Sequence, residues 1–293
     1  MMNRALLAAG AVAAALLVLA LGVVVVSGVA ASLPDVSSLA RRVPARTALM
    51  RQRLAEARAT GRPARIDQRW VPYETISPLL RRAVLIAEDD AFFSHGGLDW
   101  NELRASVRHN LAAGRVVRGG STITQQLARN LYLGNRRTLT RKLKEILFTR
   151  RLERALTKRR IFELYLNLIE WGDGVYGIEA AARTHFGVSA ARLDARQAAL
   201  LAAVIINPRR YDPVHPGRRI ERRARMILTR MWRRGLLSQP EYLAAIGRVP
   251  PPPALMRWLF GAPADSSPPG PASPPADPDT AGAAGAAIDT LRS

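Results

Sequence analysis

The sequence predicts a mostly α-helical protein whose body follows a single N-terminal transmembrane helix. Three observations predict this. An uncharged apolar run extends from Ala5 to Ala31, helix-start signals recur from Ser77 onward, and no run of alternating strands interrupts them. The 293 residues can hold one large domain or two small ones, and an apolar content of 48% argues against wholesale disorder. With no cysteine, disulfides and thiolate metal sites are excluded, although an oxidising compartment stays permitted. The net charge of +21 implies a polyanionic partner: nucleic acid, an anionic membrane surface or a phosphate-bearing substrate.

As a helix, Ala5 to Ala31 would be about 40 Å long against a hydrocarbon core of about 30 Å, enough to span with tilt. Secretory signal peptides carry shorter apolar regions, so residues 1–31 read as an uncleaved anchor, even though Gly28-Val29-Ala30-Ala31 resembles a cleavage site. Arg4 precedes the span while Arg41, Arg42 and Arg46 follow it, so the flanking charges do not favour an outward-facing body. A basic body tethered by one span makes lipid headgroups the plausible polyanion.

Residues 32–68 read as a juxtamembrane connector with a short helix around Ala48 to Ala59, and Arg69 to Tyr73 as extended before Pro72. Ser77-Pro78 opens a helix that ends near Glu88, with Ser at the N-cap and Pro at the first helical position. Asp99-x-x-Glu102 caps a helix closing at Gly114, and Thr122-x-x-Gln125 caps another running through Leu133. A long amphipathic run from Thr138 to about Trp171 breaks near Thr157. Asp194-x-x-Gln197 opens an apolar helix that stops at Asn207-Pro208. Arg218 to Arg234 forms a basic amphipathic helix ending at Gly235, and Ser238-x-x-Glu241 caps a last one to Ile246. From residue 250 the composition turns to Pro, Ala, Ser and Gly, and residues 250–293 read as a disordered tail.

Four segments could carry chemistry. In AEDDAFFSHGG, Glu88 ends a helix beside Asp89 and Asp90, where the macrodipole and neighbouring carboxylates should raise its pKa toward that of a general base. Gly119-Gly120 before Ser121, Thr122 and a helix start could cradle an anion, without the Gly-Lys-Ser/Thr of a Walker loop. Gln125 and Gln126 point in different directions, so at least one is structural. In RTLTRKLKE, Glu145 lies four residues after Arg141, either in a surface ion pair or among Arg137, Arg141 and Lys142 facing a polyphosphate. In KRRIFELYLN, Ile161, Leu164 and Leu168 form a core stripe, leaving Glu163, Tyr165 and Asn167 as packing or supporting residues.

In this order the four segments resemble the motifs of the peptidoglycan glycosyltransferase family. Glu88-Asp89-x-x-Phe92-x-x-His95-x-Gly97 is similar to its first motif and Gly119 to Gln126 to its second. Arg141-Lys142-x-x-Glu145 resembles the third and Lys158-x-x-Ile161-x-Glu163-x-Tyr165-Leu166-Asn167 the fourth, with Phe162 where the family usually has Leu. A weaker fifth match is Arg225-x-Ile227-Leu228. RWVPYETISPLL and the absence of a transpeptidase domain are similar to the monofunctional biosynthetic transglycosylases.

The resemblance implies a lysozyme-like helical glycosyltransferase domain over residues 69–249, catalytic Glu88 and Glu145, and a substrate site drawn from the other motif residues and Arg129. It implies lipid II and a growing glycan chain on undecaprenyl diphosphate as substrates, with other cell-wall synthesis proteins as partners and no nucleic acid. The body would face the periplasm from the bacterial inner membrane. No cofactor is required, although magnesium or manganese could bridge the substrate diphosphate. Two rival readings are a lytic muramidase, against which the arginine-rich third motif argues, and a non-enzymatic basic membrane protein, which explains +21 but not Glu88.

Overall fold

The computed structural model describes residues 4–63, 65–114, 120–134 and 138–248. Among these, the chain is helical apart from a small three-stranded sheet. The N-terminal helix α1 (Arg4–Ala31) contains an apolar stretch, Gly10–Ala31, long enough to cross a membrane, and none of it packs inside the body. The expected connector helix is α2 (Ala48–Ala59). The segment before it is packed: Leu33, Val36 and Leu39 are buried in the main core, and Leu49 and Met50 form a smaller cluster with Tyr176.

The body comprises α3 (Pro78–Glu88), α4 (Trp100–Ala112), α5 (Ile123–Ala128), α6 (Leu139–Ala155), α7 (Lys158–Leu168), α8 (Ile178–Phe186), α9 (Ala195–Val204), α10 (Arg218–Arg233) and α11 (Gln239–Ala245). Apolar nearly all round, α9 runs through the core, and its alanines let α3 and α10 approach closely on either side. On the other side of the core α5 packs against α6 and α7. The long run from Thr138 breaks at Leu156–Thr157, where the Thr157 hydroxyl caps α7 by accepting the Arg160 N–H at 3.2 Å.

Two features escape the periodicity argument. The strands β1 (Asp67–Gln68), β2 (Glu170–Gly172) and β3 (Val175–Tyr176) pair in the order β1-β3-β2, parallel then antiparallel. The turn between β2 and β3 needs Gly174 at φ +75°, where a Cβ would meet the Arg65 carbonyl oxygen at 2.5 Å. The helix expected through Leu133 is α-helical only to Ala128, then widens into a π-helical turn, Arg129–Leu133, that stops at Gly134.

Candidate active site

Glu88 is the last residue of α3. Pro78 starts that helix as expected, but the Ser77 hydroxyl donates to the Leu193 carbonyl at 3.0 Å instead of capping it. At the other end, the Glu88 carboxylate accepts the Gln126 amide N–H at 2.9 Å on one oxygen and Arg223 Nη2 at 2.8 Å on the other. Tyr165 is fully buried and donates its hydroxyl to Gln126 Oε1 at 3.0 Å. That bond fixes which way the Gln126 amide points, so its N–H faces Glu88. Arg223 Nη2 also donates to the Ala87 carbonyl at 3.0 Å, satisfying one of the open carbonyls at the end of α3.

Burial pushes the Glu88 carboxyl above the usual carboxylate range, and Gln126, Arg223 and Arg129 oppose the rise. The direction agrees with the sequence argument; the cause differs. Asp89 turns away to accept His95 Nε2 at 2.9 Å and the Ile123 N–H at 3.0 Å. Asp90 pairs with both terminal nitrogens of Arg234 at 2.5 Å, which hold its carboxyl below the usual range.

Glu88 lines a cleft of about 730 Å³ together with Gly120, Ser121, Thr122, Gln126 and three arginines of α10, Arg219, Arg223 and Arg230. Beside it lies a second cavity, of about 460 Å³, lined by Arg53, Arg129, Arg141 and Arg209 with Asn130 and Asn207. Gln126 and Ile206 line both. The buried side-chain polar atoms left without a partner among the described residues are Asn130 Oδ1, Arg141 Nε and Arg223 Nε, and all three belong to residues lining these cavities. A buried unpaired group costs about 1–3 kcal/mol, so their concentration here marks a place built for something other than stability.

The other motif residues divide into those that line the cleft and those that hold it. Thr122 caps α5 in a reciprocal box with Gln125 and donates its hydroxyl to the Gly97 carbonyl at 2.7 Å. Gln125 is therefore the structural glutamine and Gln126 the one at the site. Phe92 is 0% exposed, packed against Phe162 with Lys158 Nζ 4.4 Å above its ring. It was expected to touch substrate but lies in the core, because a phenyl ring at that depth gains more from burial than from contact with a sugar. Lys158 also pairs with Glu153 at 2.8 Å.

His95 Nδ1 accepts the Gly97 N–H at 3.0 Å, so its Nε2 carries the proton donated to Asp89. Glu163 accepts the Tyr73 N–H at 2.9 Å and Arg160 Nη1 at 2.6 Å. The Asn167 amide accepts the Val71 N–H at 2.9 Å and donates to the Val71 carbonyl at 3.0 Å. Both thereby pin the extended segment before α3. Glu145 is 1% exposed and lines neither cavity. Its two oxygens accept Arg141 Nη1 at 2.6 Å and Lys142 Nζ at 2.5 Å, so both are engaged by cations of its own helix. Gly119 and Arg137 lie outside the described residues, as does the tail.

The arginine of α10 at the site is Arg223, two residues before the Arg225 of the weak fifth match. Arg225 is exposed, whereas Arg223 reaches Glu88. The signal was available: Arg223 lies three residues after Ile220 and four before Ile227, on the buried stripe of α10. Arg53 and Arg209 had no such signal, since each is brought to its cavity by tertiary packing. Asp89, His95 and Asp99 carry oxygens and a nitrogen within 4.8 Å of one another. Asp89 is already engaged by His95 and Ile123, and Asp99 caps α4 by accepting the Glu102 N–H at 2.8 Å, so this trio fits a hydrogen-bonded brace better than a cation site.

Comparison with known proteins bears on this arrangement. A family model described as Transglycosylase matches residues 55–232, more than half of the chain. The chain belongs to the transglycosylase family. This transglycosylase is thus an enzyme, and its body is the lysozyme-like helical domain expected from the sequence. It is 50% identical over 188 residues to a biosynthetic peptidoglycan transglycosylase of Laribacter hongkongensis, covering 64% of this chain and 82% of that one. A protein of the same name from Chromobacterium violaceum is 47% identical over the same shares. A crystal structure of penicillin-binding protein 1A from Haemophilus influenzae aligns with 30% of this chain and 13% of that one, at 38% identity and a TM-score of 0.28, an overlap too partial to bear on the fold.

Proposed function

We propose that this transglycosylase builds peptidoglycan by polymerising lipid II into β-1,4-linked glycan strands. The GlcNAc 4-hydroxyl attacks the anomeric carbon of the donor MurNAc, forming the new C–O bond with inversion from α to β. The bond to the diphosphate breaks, its electron pair leaving with undecaprenyl diphosphate. Glu88 takes the hydroxyl proton as general base. The single observation that carries this reading is a largely buried carboxylate, its side chain 11% exposed into the cleft, that shares one glutamine with an adjoining cavity of four arginines.

A departing diphosphate needs charge stabilisation rather than protonation, which suits Arg129 and Arg141. Family resemblance adds Arg137 and the Gly119-Gly120 helix entry. Glu145 holds Arg141 and Lys142 in place and is a positioning residue rather than a reacting one. The chemistry requires no cofactor. A magnesium or manganese ion taking part would be bound through the diphosphate oxygens. The anchor keeps the site at the bilayer that carries the substrate, with residues 69–249 on the periplasmic side of a bacterial inner membrane.

The test is incubation of the detergent-solubilised protein with lipid II, with the glycan products resolved by length. Glu88→Gln should lower polymerisation by about 10²–10⁴-fold while the circular dichroism spectrum is retained. Glu145→Gln should act more through KM than through the pH profile. Undiminished lipid II consumption by folded Glu88→Gln would refute the assignment. So would release of muropeptides from finished peptidoglycan without lipid II consumption.

A further inference from the structure

The end of the membrane span is gripped by the same helix that carries Glu145. The last carbonyls of α1 are claimed from two directions. Locally, Ser32 donates its N–H to the Gly28 carbonyl at 3.1 Å and its hydroxyl to that of Val29 at 2.8 Å, and the Leu33 N–H reaches Ala30 at 3.2 Å. From over a hundred residues away, Arg151 on α6 donates Nη2 to the Ala30 carbonyl at 2.5 Å and Nη1 to those of Leu33 at 2.7 Å and Pro34 at 3.2 Å.

Arg160 on α7 makes a second clasp, with Nε to the Leu39 carbonyl at 2.9 Å and Nη2 to that of Arg42 at 3.1 Å. Between the two clasps Leu33, Val36 and Leu39 are buried in the main core. A guanidinium suits this place twice over. Its charge meets the negative end of the α1 dipole, and its rigid fork can serve several carbonyls at once.

We propose that Arg151 is a positioning residue that couples the anchor rigidly to the body, holding the cleft at one height and tilt above the bilayer. A substrate whose lipid tail stays in the membrane presents its reacting sugar at a fixed depth, so a cleft free to swing would meet it in the right pose only part of the time. Arg151 touches the apolar stretch at its last turn, and Arg150 and Arg154 are exposed beside it on α6. Ser32 and Leu33 cap α1 without help from Arg151, so removing Arg151 uncouples the helix and leaves it wound.

The kinetic arm of the test rests on the proposed lipid II reaction; the spectroscopic arm does not. The full chain and its Arg151→Ala and Arg151→Lys variants are compared in detergent micelles and in vesicles of phosphatidylethanolamine and phosphatidylglycerol. Arg151→Ala should polymerise lipid II at the wild-type rate in micelles, where substrate and enzyme reorient freely, and fall by about tenfold in vesicles. Arg151→Lys, which offers a point charge instead of a fork, should lie between. Because the chain has no cysteine, spin labels can be placed at Leu17→Cys in the anchor and Arg192→Cys on the body. The label-to-label distance distribution should be narrow in the wild type and broad in Arg151→Ala. A broad distribution in the wild type, a narrow one in Arg151→Ala, or equal loss of activity in micelles and vesicles would overturn the proposal.

Discussion

Glu88 can serve as a base only while it is unprotonated, and its neighbours pull against its burial. Desolvation raises its pKa; the amide of Gln126 and the guanidiniums of Arg223 and Arg129 lower it. Arg223→Met should therefore carry the pKa higher and move the acid limb of the kcat/KM profile to higher pH, read from lipid II turnover across a pH series. The same shift has a stability consequence. Between the ordinary carboxylate value and the raised folded value, the native state holds a proton that the unfolded chain has released. The contribution of Glu88 to stability is thus present at low pH and lost as pH rises through the folded pKa. Glu88→Gln should melt with the wild type at low pH and above it at neutral pH, in a set of thermal melts. Much of this was legible. The resemblance put Glu88 at the centre, and the Thr122-x-x-Gln125 box, read strictly, already assigns Gln125 to the backbone and frees Gln126. What composition could not give is how deep Glu88 lies, since that depends on α5 and α10 bringing Gln126 and Arg223 against it.

Helix caps are the elements the sequence announces most clearly, and they make separable predictions. Asp194 caps α9 away from the cleft, accepting the Gln197 N–H at 2.8 Å. Asp194→Ala should cost about 1 kcal/mol, a fall in Tm of about 2–4 °C, with kinetics unchanged. Thr122→Ala removes a similar cap and also the bond to the Gly97 carbonyl, at the start of the helix that carries Gln126. It should lose comparable stability and, in addition, kcat, measured side by side with Asp194→Ala. Periodicity found the break at Thr157 and the amphipathic character of α10, which buries one face, whereas α7 is buried on nearly every side from Ile161 onward. Strands of two or three residues are too short to show alternation, so the sheet that seats β2 beside Arg53 was invisible. The π-helical turn was equally hidden, since one residue more per turn leaves no mark on a run as short as RNLYL.

At the scale of the whole molecule, the basic charge gathers at the cavities, in the Arg151 and Arg160 clasps, and in exposed arginines such as Arg218, Arg222 and Arg233 along the outer face of α10. The last of these suit a protein held against anionic lipid. The boundary of the folded unit is the other molecular property at stake. The stretch recognised by family likeness runs from 55 to 232, yet Leu33, Val36, Leu39, Leu49 and Met50 before it and Leu237 and Ala245 after it are buried. Anyone trimming this enzyme for crystals at the limits of that match would peel apolar side chains off the interior and leave a sticky scar. A fragment of residues 55–232 should emerge from gel filtration as aggregate, whereas one of residues 32–248 should elute as a discrete species. The residues just after the long apolar helix are thus part of the globule's own stuffing, and an expression boundary is best drawn where that helix ends.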